Sequence, residues 1–232
     1  MTAAIVVTLA FAALARALRG VSVSGALAGA VICFLLYAGA GPGAFLALVA
    51  VFAITWAATK LGYRRKQDLG TAERREGRAA SQVLANLSVA AACAVLFALS
   101  HSKAVFLLAM AAALCEATAD TVSSELGQAL SPRARLITTW QEVPAGTDGG
   151  ISLPGTLAGV VSAVLVAAAC AAAELFARTW TTLALVILSA AVGMVADSFL
   201  GAWLERRGIL NNDLVNFLST LIAAGIALLL GR

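Results

Sequence analysis

The sequence predicts an all-α integral membrane protein, a bundle of about eight short transmembrane helices. Three observations predict it. Of the 232 residues, 61% are hydrophobic and only 12% charged, where a soluble domain carries about 25% charged residues. The mean hydropathy is +0.94. The apolar residues also fall into eight runs, roughly 2–15, 23–38, 43–59, 83–99, 104–119, 155–177, 181–204 and 213–230. These occupy nearly the whole chain, so residues 1–232 read as a single transmembrane domain with no room for a soluble one.

The first two runs are shorter than the roughly 20 residues that a full hydrocarbon crossing takes, so they either cross or dip back as re-entrant segments. The run starting at Thr2 has no positive n-region and no small-residue cleavage site, which predicts a retained helix rather than a signal peptide. In the second run Gly25 and Gly29 form a small-xxx-small face suited to close helix packing. Cys33, Cys93, Cys115 and Cys170 all fall inside apolar runs without metal-ligand or disulfide spacing, and read as small buried hydrophobes.

If the eight runs alternate, thirteen of the sixteen Lys and Arg fall on one side and only Lys103, Arg178 and Arg232 on the other. By the positive-inside rule, the loops near 60–82, 120–154 and 205–212 are then cytoplasmic and both termini lie outside a cytoplasmic membrane. The same asymmetry accounts for the net charge of +4, so no nucleic-acid partner is implied. His101, the only histidine, is expected in a solvated loop on the opposite side.

Polar chemistry concentrates toward the basic side. In and just before ADTVSSELG, residues Glu116, Asp120, Ser123 or Ser124, and Gly127 recur at helical spacing and share one face. Glu116 falls within the membrane, where an unpaired carboxylate is costly and should face the bundle interior. Glu125 lies off that face. In VPAGTDGGISLPGT, Gly146, Gly149, Gly150 and Gly155 alternate with Thr147, Asp148, Ser152 and Thr156. Such a backbone can turn its N–H groups toward one anion, with Pro154 opening a helix whose N-terminus points the same way. A connecting loop with no ligand fits the same residues, and no Gly-Lys-Ser/Thr follows to make a Walker motif. Later helices add Gly193, Asp197 and Gly201, then Asn212, Asn216 and Thr220 with Asp213 beside them, and earlier Arg78, Gln82 and Asn86. Oxygen ligands of this kind suit Mg2+, which takes one or two carboxylates and completes its shell with water and substrate phosphates. Phosphoryl transfer needs mainly in-line positioning and cations, so a nucleoside triphosphate donor and a lipid-embedded acceptor are expected.

The segments REGRAASQVLANLSVAA, ATADTVSSELG, LITTWQEVPAGTDGGISLPGTLAG, ADSFLGAWLERRG and NNDLVNFLST resemble, in order and spacing, the membrane family that includes the plant phytyl-phosphate kinase of tocopherol synthesis. The chain is more distantly similar to dolichol and phytol kinases and to CTP-dependent lipid cytidylyltransferases. The resemblance implies transfer of a phosphoryl group from a nucleoside triphosphate, CTP favoured, to a prenyl monophosphate of phytyl or geranylgeranyl type. Asp120, Ser124 and Glu125 match the acidic motif, Thr147, Asp148, Gly149, Gly150 and Ser152 the glycine-rich motif, and Asp197 and Asn216 the later ones. Near Trp203 and Leu204 the family carries a hydrophilic residue such as Gln, so no role is assigned to Glu205.

Together these readings assign catalysis and metal to Asp120, Glu125 and Asp148, with Asp197 as a further metal ligand. The phosphates go to Arg75, Arg78, Asn86, Ser124, Gly146, Thr147, Gly149, Gly150, Ser152 and Thr156. Glu116, Asn212, Asp213 and Asn216 complete the polar set. Two other readings stand beside this one. One is a cytidylyltransferase that releases pyrophosphate from the same site. The other is a transporter for an anionic solute, whose site would lie near the membrane midplane.

Overall fold

The computed structural model describes residues 1–100 and 103–231; His101, with Ser102 and Arg232, lies outside the described residues. Among the described residues there are eight α-helices and one small sheet. The helices are α1 (Thr2–Ala17), α2 (Val23–Lys60), α3 (Tyr63–Asp68), α4 (Ala80–Leu99), α5 (Val105–Leu130), α6 (Leu153–Ala172), α7 (Trp180–Leu200) and α8 (Asn212–Leu230). Six of them, all but α1 and α3, are long and apolar enough to cross a membrane. A π-helical turn, Gly201–Glu205, continues α7.

Helix α2 holds two of the predicted runs. Gly41 sits at φ +80°, and Pro42 follows at the first position of the next helical segment, where its missing N–H costs nothing. The chain folds back on itself there. A straight helix would put Gly20 and Trp56 about 50 Å apart at 1.5 Å per residue, yet a Cβ on Gly20 would lie 3.3 Å from the Trp56 ring. Gly39 and Gly43 pack against Ala94 and Ala173 at one end of the bundle, while Gly25 and Gly62 pack against Arg78 and Ala129 at the other. The second and third apolar runs are therefore antiparallel arms. At 16 residues α1 spans about 24 Å, less than the roughly 30 Å hydrocarbon core.

The core is built around α5. Every residue from Leu108 to Ala119 is buried, and α2, α4, α6, α7 and α8 all pack on it. Small side chains make this possible, because Ala and Gly let backbones approach without a hydrophobic drive from solvent. Gly155 and Gly159 of α6 meet the Ser123 and Ala119 carbonyls of α5, where a Cβ would come within 2.5 and 2.8 Å. Gly155 thus serves helix packing rather than an anion nest. The four cysteines are free and buried, as expected.

The 120–154 segment is not a loop. Helix α5 runs on to Leu130, and β1 (Arg133–Leu136), β2 (Glu142–Pro144) and β3 (Gly150–Ile151) form an antiparallel sheet in the order β2-β1-β3. The register pairs Ala134 with Val143 and Arg135 with Ile151. This sheet, α3 and the 206–211 turn gather at one end of the bundle, the basic face. Gly231 packs against Leu108 and Leu185 at the opposite end.

Candidate functional site

Two clefts flank α5 at the basic face. The first, about 740 Å³ with its open mouth, is polar. Asp120, Ser123, Ser124, Gly127 and Gln128 line it from α5, the 145–152 segment from the sheet, Asp197 and Ser198 from α7, Gly201 and Glu205 from the π-helical turn, and Asn212 from α8. The shared helical face predicted for Asp120, Ser124 and Gly127 is this wall.

Backbone contact sets the distance between the sheet and α7. A Cβ on Gly149 would fall 2.5 Å from the Ala202 nitrogen, and one on Gly201 would fall 2.9 Å from the Gly149 nitrogen. Gly149 (φ +71°) and Gly146 (φ +87°) adopt left-handed backbone that other residues take at a cost. Within the turn, the Thr147 amide donates to the Pro144 carbonyl (3.3 Å) and the Gly150 amide to Thr147 (2.8 Å). Ser152 caps α6 by accepting from the Gly155 amide at 3.2 Å. These amides are spoken for by the fold. The turn also brings the Asp148 carboxylate to the exposed rim of the cleft.

Among the described residues four carboxylates, Asp120, Asp148, Asp197 and Glu205, line this cleft, and no Lys or Arg does. Asp120 and Asp197 lie within electrostatic reach of each other. One Asp197 oxygen is buried without a hydrogen-bond partner, and so are both oxygens of Glu116, one helical turn deeper on α5, and Oδ1 of Asn216. A Cβ on Gly193 would come 2.5 Å from Cγ of Glu116, so that glycine makes room for the buried carboxylate.

The second cleft, about 980 Å³ with its mouth, lies on the other side of α5 and is mainly apolar. Phe11, Leu48, Val51, Phe52, Val83 and Leu87 line its depth; Arg19, Lys60, Glu73, Arg74 and Arg78 surround its opening. Gln82 and Asn86 line it too, so the predicted stripe Arg78, Gln82, Asn86 faces one cavity. Ala117 of α5 forms part of its wall, while Asp120, one turn on, lines the polar cleft. Arg78 lies within electrostatic reach of Asp120.

Several expectations need correction. Glu125 points away from the polar cleft. It forms an ion pair with Lys66 and accepts from the Thr59 hydroxyl at 2.9 Å. Lys66 is fully buried and also donates to the Ala58 and Thr59 carbonyls, capping the end of α2. Arg75 is exposed and lines neither cleft, whereas its neighbour Arg74 does. Arg78 and Asn86 belong to the apolar cleft and not to the glycine-rich turn. Thr156, Asp213 and Asn216 line neither. Gly29, read as a packing glycine, instead faces the open space of the apolar cleft, with nothing within 4 Å of an added Cβ.

The profile of the family described as integral membrane protein DUF92 matches residues 6–224. The chain belongs to the DUF92 integral membrane family. The sequence motifs point to one membrane family, and this match agrees with them. The chain is 32% identical over 220 residues to the chloroplastic protein VTE6 of Arabidopsis thaliana, covering 91% of this chain and 65% of that protein. It is 32% identical over 210 residues to an uncharacterized membrane protein of Methanocaldococcus jannaschii, covering 89% of this chain and 84% of the relative. An uncharacterized membrane protein of Synechocystis is 31% identical over 202 residues, covering 85% and 78%. No solved structure matches.

Glu205 is the cleft residue that family likeness passed over, although the four-residue interval Gly193, Asp197, Gly201 leads straight to it. Ser198 and Gln128 carried no such signal. A magnesium ion fits this donor set. The candidate donors are hard oxygens, and one of them is buried and unpartnered, the kind of group a divalent cation would satisfy. Among the described residues no three His, Cys, Asp or Glu side chains form a ready-made cage. A cation there would take at most two of these carboxylates and draw its other ligands from elsewhere.

Proposed function

We propose that this DUF92 protein is a membrane phosphotransferase that passes a phosphoryl group from a magnesium-bound nucleoside triphosphate, CTP favoured, to a prenyl monophosphate. The observation that carries the reading is the pairing of the clefts. An acidic cleft with no basic side chain among the described residues adjoins, across one helical turn of α5, an apolar cleft with a basic mouth. The first suits a cation-bound polyphosphate and the second an anionic lipid. The kinship with the phytyl-phosphate kinase family supports the same chemistry.

In this reading Asp120 and Asp197 would hold the metal, with the Asp148 and Glu205 carboxylates beside it in the cleft. Magnesium supplies charge neutralisation at the transferring phosphate. A phosphate oxygen of the acceptor attacks the γ-phosphorus, the bond to the β,γ-bridging oxygen breaks, and the nucleoside diphosphate leaves with that electron pair. Arg78 holds the acceptor phosphate in line and offsets charge on its oxygens. The positive-inside asymmetry supports a cytoplasmic basic face, the side on which a nucleotide donor would be available.

Incubating the purified protein with labelled CTP or ATP and phytyl or geranylgeranyl phosphate tests the proposal. The expected products are lipid diphosphate and CDP or ADP. Release of pyrophosphate with a lipid-linked CMP would establish the cytidylyltransferase instead, and no lipid product with any donor defeats both. A transporter wants a site at mid-membrane, whereas the acidic residues here cluster at one end.

A further inference from the structure

We infer that the apolar cleft between α1, α2 and α4 is the binding site of a single-chain lipid monophosphate, with the phosphate at Arg78 and the chain leaving sideways between α1 and the second arm of α2. This deepens the proposed function by locating its acceptor, and it rests on that reading for the identity of the headgroup.

Charge complementarity carries the first half. Arg19, Lys60, Arg74 and Arg78 face one carboxylate, Glu73, around the mouth, an excess of three positive charges. Glu73 is itself engaged, accepting from the Gln82 amide at 3.0 Å and standing 4.0 Å from Arg78. Arg78 is placed by its own backbone: its amide donates to Gly20 (3.1 Å) and its carbonyl accepts from Ser22 (2.9 Å). Gly25 and Gly77 leave no room for a Cβ at this junction; at Gly25 a Cβ would fall 2.1 Å from the Arg78 carbonyl oxygen. Arg19 holds φ +53°, a helix-ending conformation usually left to glycine. A cation kept there at conformational cost, on the rim of a cavity, points to a ligand more than to packing.

The second half comes from continuity. A wholly apolar groove on the outer surface of α1 and α2 is lined by Val7, Ala10, Leu14, Phe45 and Val49 and shares Phe11, Phe52 and Trp56 with the cleft. Those three rings are the wall between them. Phe11 meets Phe45 and Phe52 edge to face, and the Trp56 indole donates to the Leu18 carbonyl at 3.1 Å. Helix α1 packs chiefly against α2, so the wall opens by moving one short helix. A chain running from Arg78 through the cleft would pass these rings into the bilayer, so its length is not limited by the cavity.

Gly29 gives the test. It lines the cleft and an added Cβ meets nothing within 4 Å, so Gly29→Phe starts its ring into open cleft space. The protein in nanodiscs is photolabelled with a diazirine-bearing geranylgeranyl monophosphate, adducts are mapped by mass spectrometry, and Mg-CTP binding is measured separately. Adducts are expected on the α1, α2 and α4 residues of the cleft and groove. Gly29→Phe should cut that labelling and raise KM for the prenyl phosphate about tenfold or more, with nucleotide binding unchanged. Adducts on other helices, or Gly29→Phe labelling like the wild type, overturn the inference even if the wild type turns over. Labelling of the cleft by a protein that transfers no phosphate would instead sink the proposed function and keep the site.

Discussion

Removing Glu125 separates its two possible roles. As a metal ligand, its loss would abolish turnover and leave the bundle stable. In the structure it neutralises Lys66, whose side chain is 1% exposed against 15% for the carboxylate. Breaking a buried pair from one side leaves an uncompensated charge, which costs about 3–5 kcal/mol. The Ala58 and Thr59 carbonyls still receive the ammonium, which places Glu125→Ala at about 3 kcal/mol, roughly a 100-fold fall in the folded-to-unfolded ratio. Lys66→Met combined with Glu125→Leu should recover most of that loss, because an apolar pair leaves no orphaned charge. Thermal unfolding in detergent gives the stability, and phosphotransfer per folded molecule gives the activity. A Glu125→Ala protein that melts like the wild type but has lost turnover would refute the structural assignment and return Glu125 to the metal site.

The remaining predictions concern the clefts. Asp120→Asn and Asp197→Asn should each lower turnover at least ~100-fold, the scale of losing one charge-stabilising group, with helicity by circular dichroism unchanged; wild-type rates would remove that residue from the site. Gly149→Ala puts a methyl group into Ala202 and a non-glycine residue at φ +71°, so about 1–3 kcal/mol of strain should appear as a lower melting temperature and a weakened Mg-CTP affinity. Arg78→Gln should raise KM for the lipid phosphate more than for the nucleotide, and equal effects on both would place Arg78 at the triphosphate instead. Glu205→Gln should weaken Mg2+ activation, seen as a higher magnesium concentration for half-maximal rate.

Much of this was legible in local pattern. The eight apolar runs, the four-residue intervals carrying Asp120 and Asp197, and the Asp148 turn lead to the walls of one cleft, because hydropathy and helical phase are properties of short windows. The turn chemistry of Gly41-Pro42 was present as well, and it joins the second run to the third in a tight reversal. The three strands were not legible. They are two to four residues long, and only β1 alternates between exposed and fully buried positions, from Arg133 to Leu136.

By itself, then, the sequence determined a membrane bundle with its chemistry gathered at the basic end and its acidic residues on particular helix faces. Only the tertiary structure decided which partners those residues meet. Lys66 and Glu125 are 59 residues apart, and nothing in either segment says that the carboxylate turns to the lysine rather than to a metal. Arg78 and Asn86 were placed by the packing of α4 against α2, which divides the basic face into an acidic cleft and a greasy one. Periodicity tells which side of a helix is polar, but which cavity that side borders depends on neighbours brought together by packing small residues over long stretches of chain.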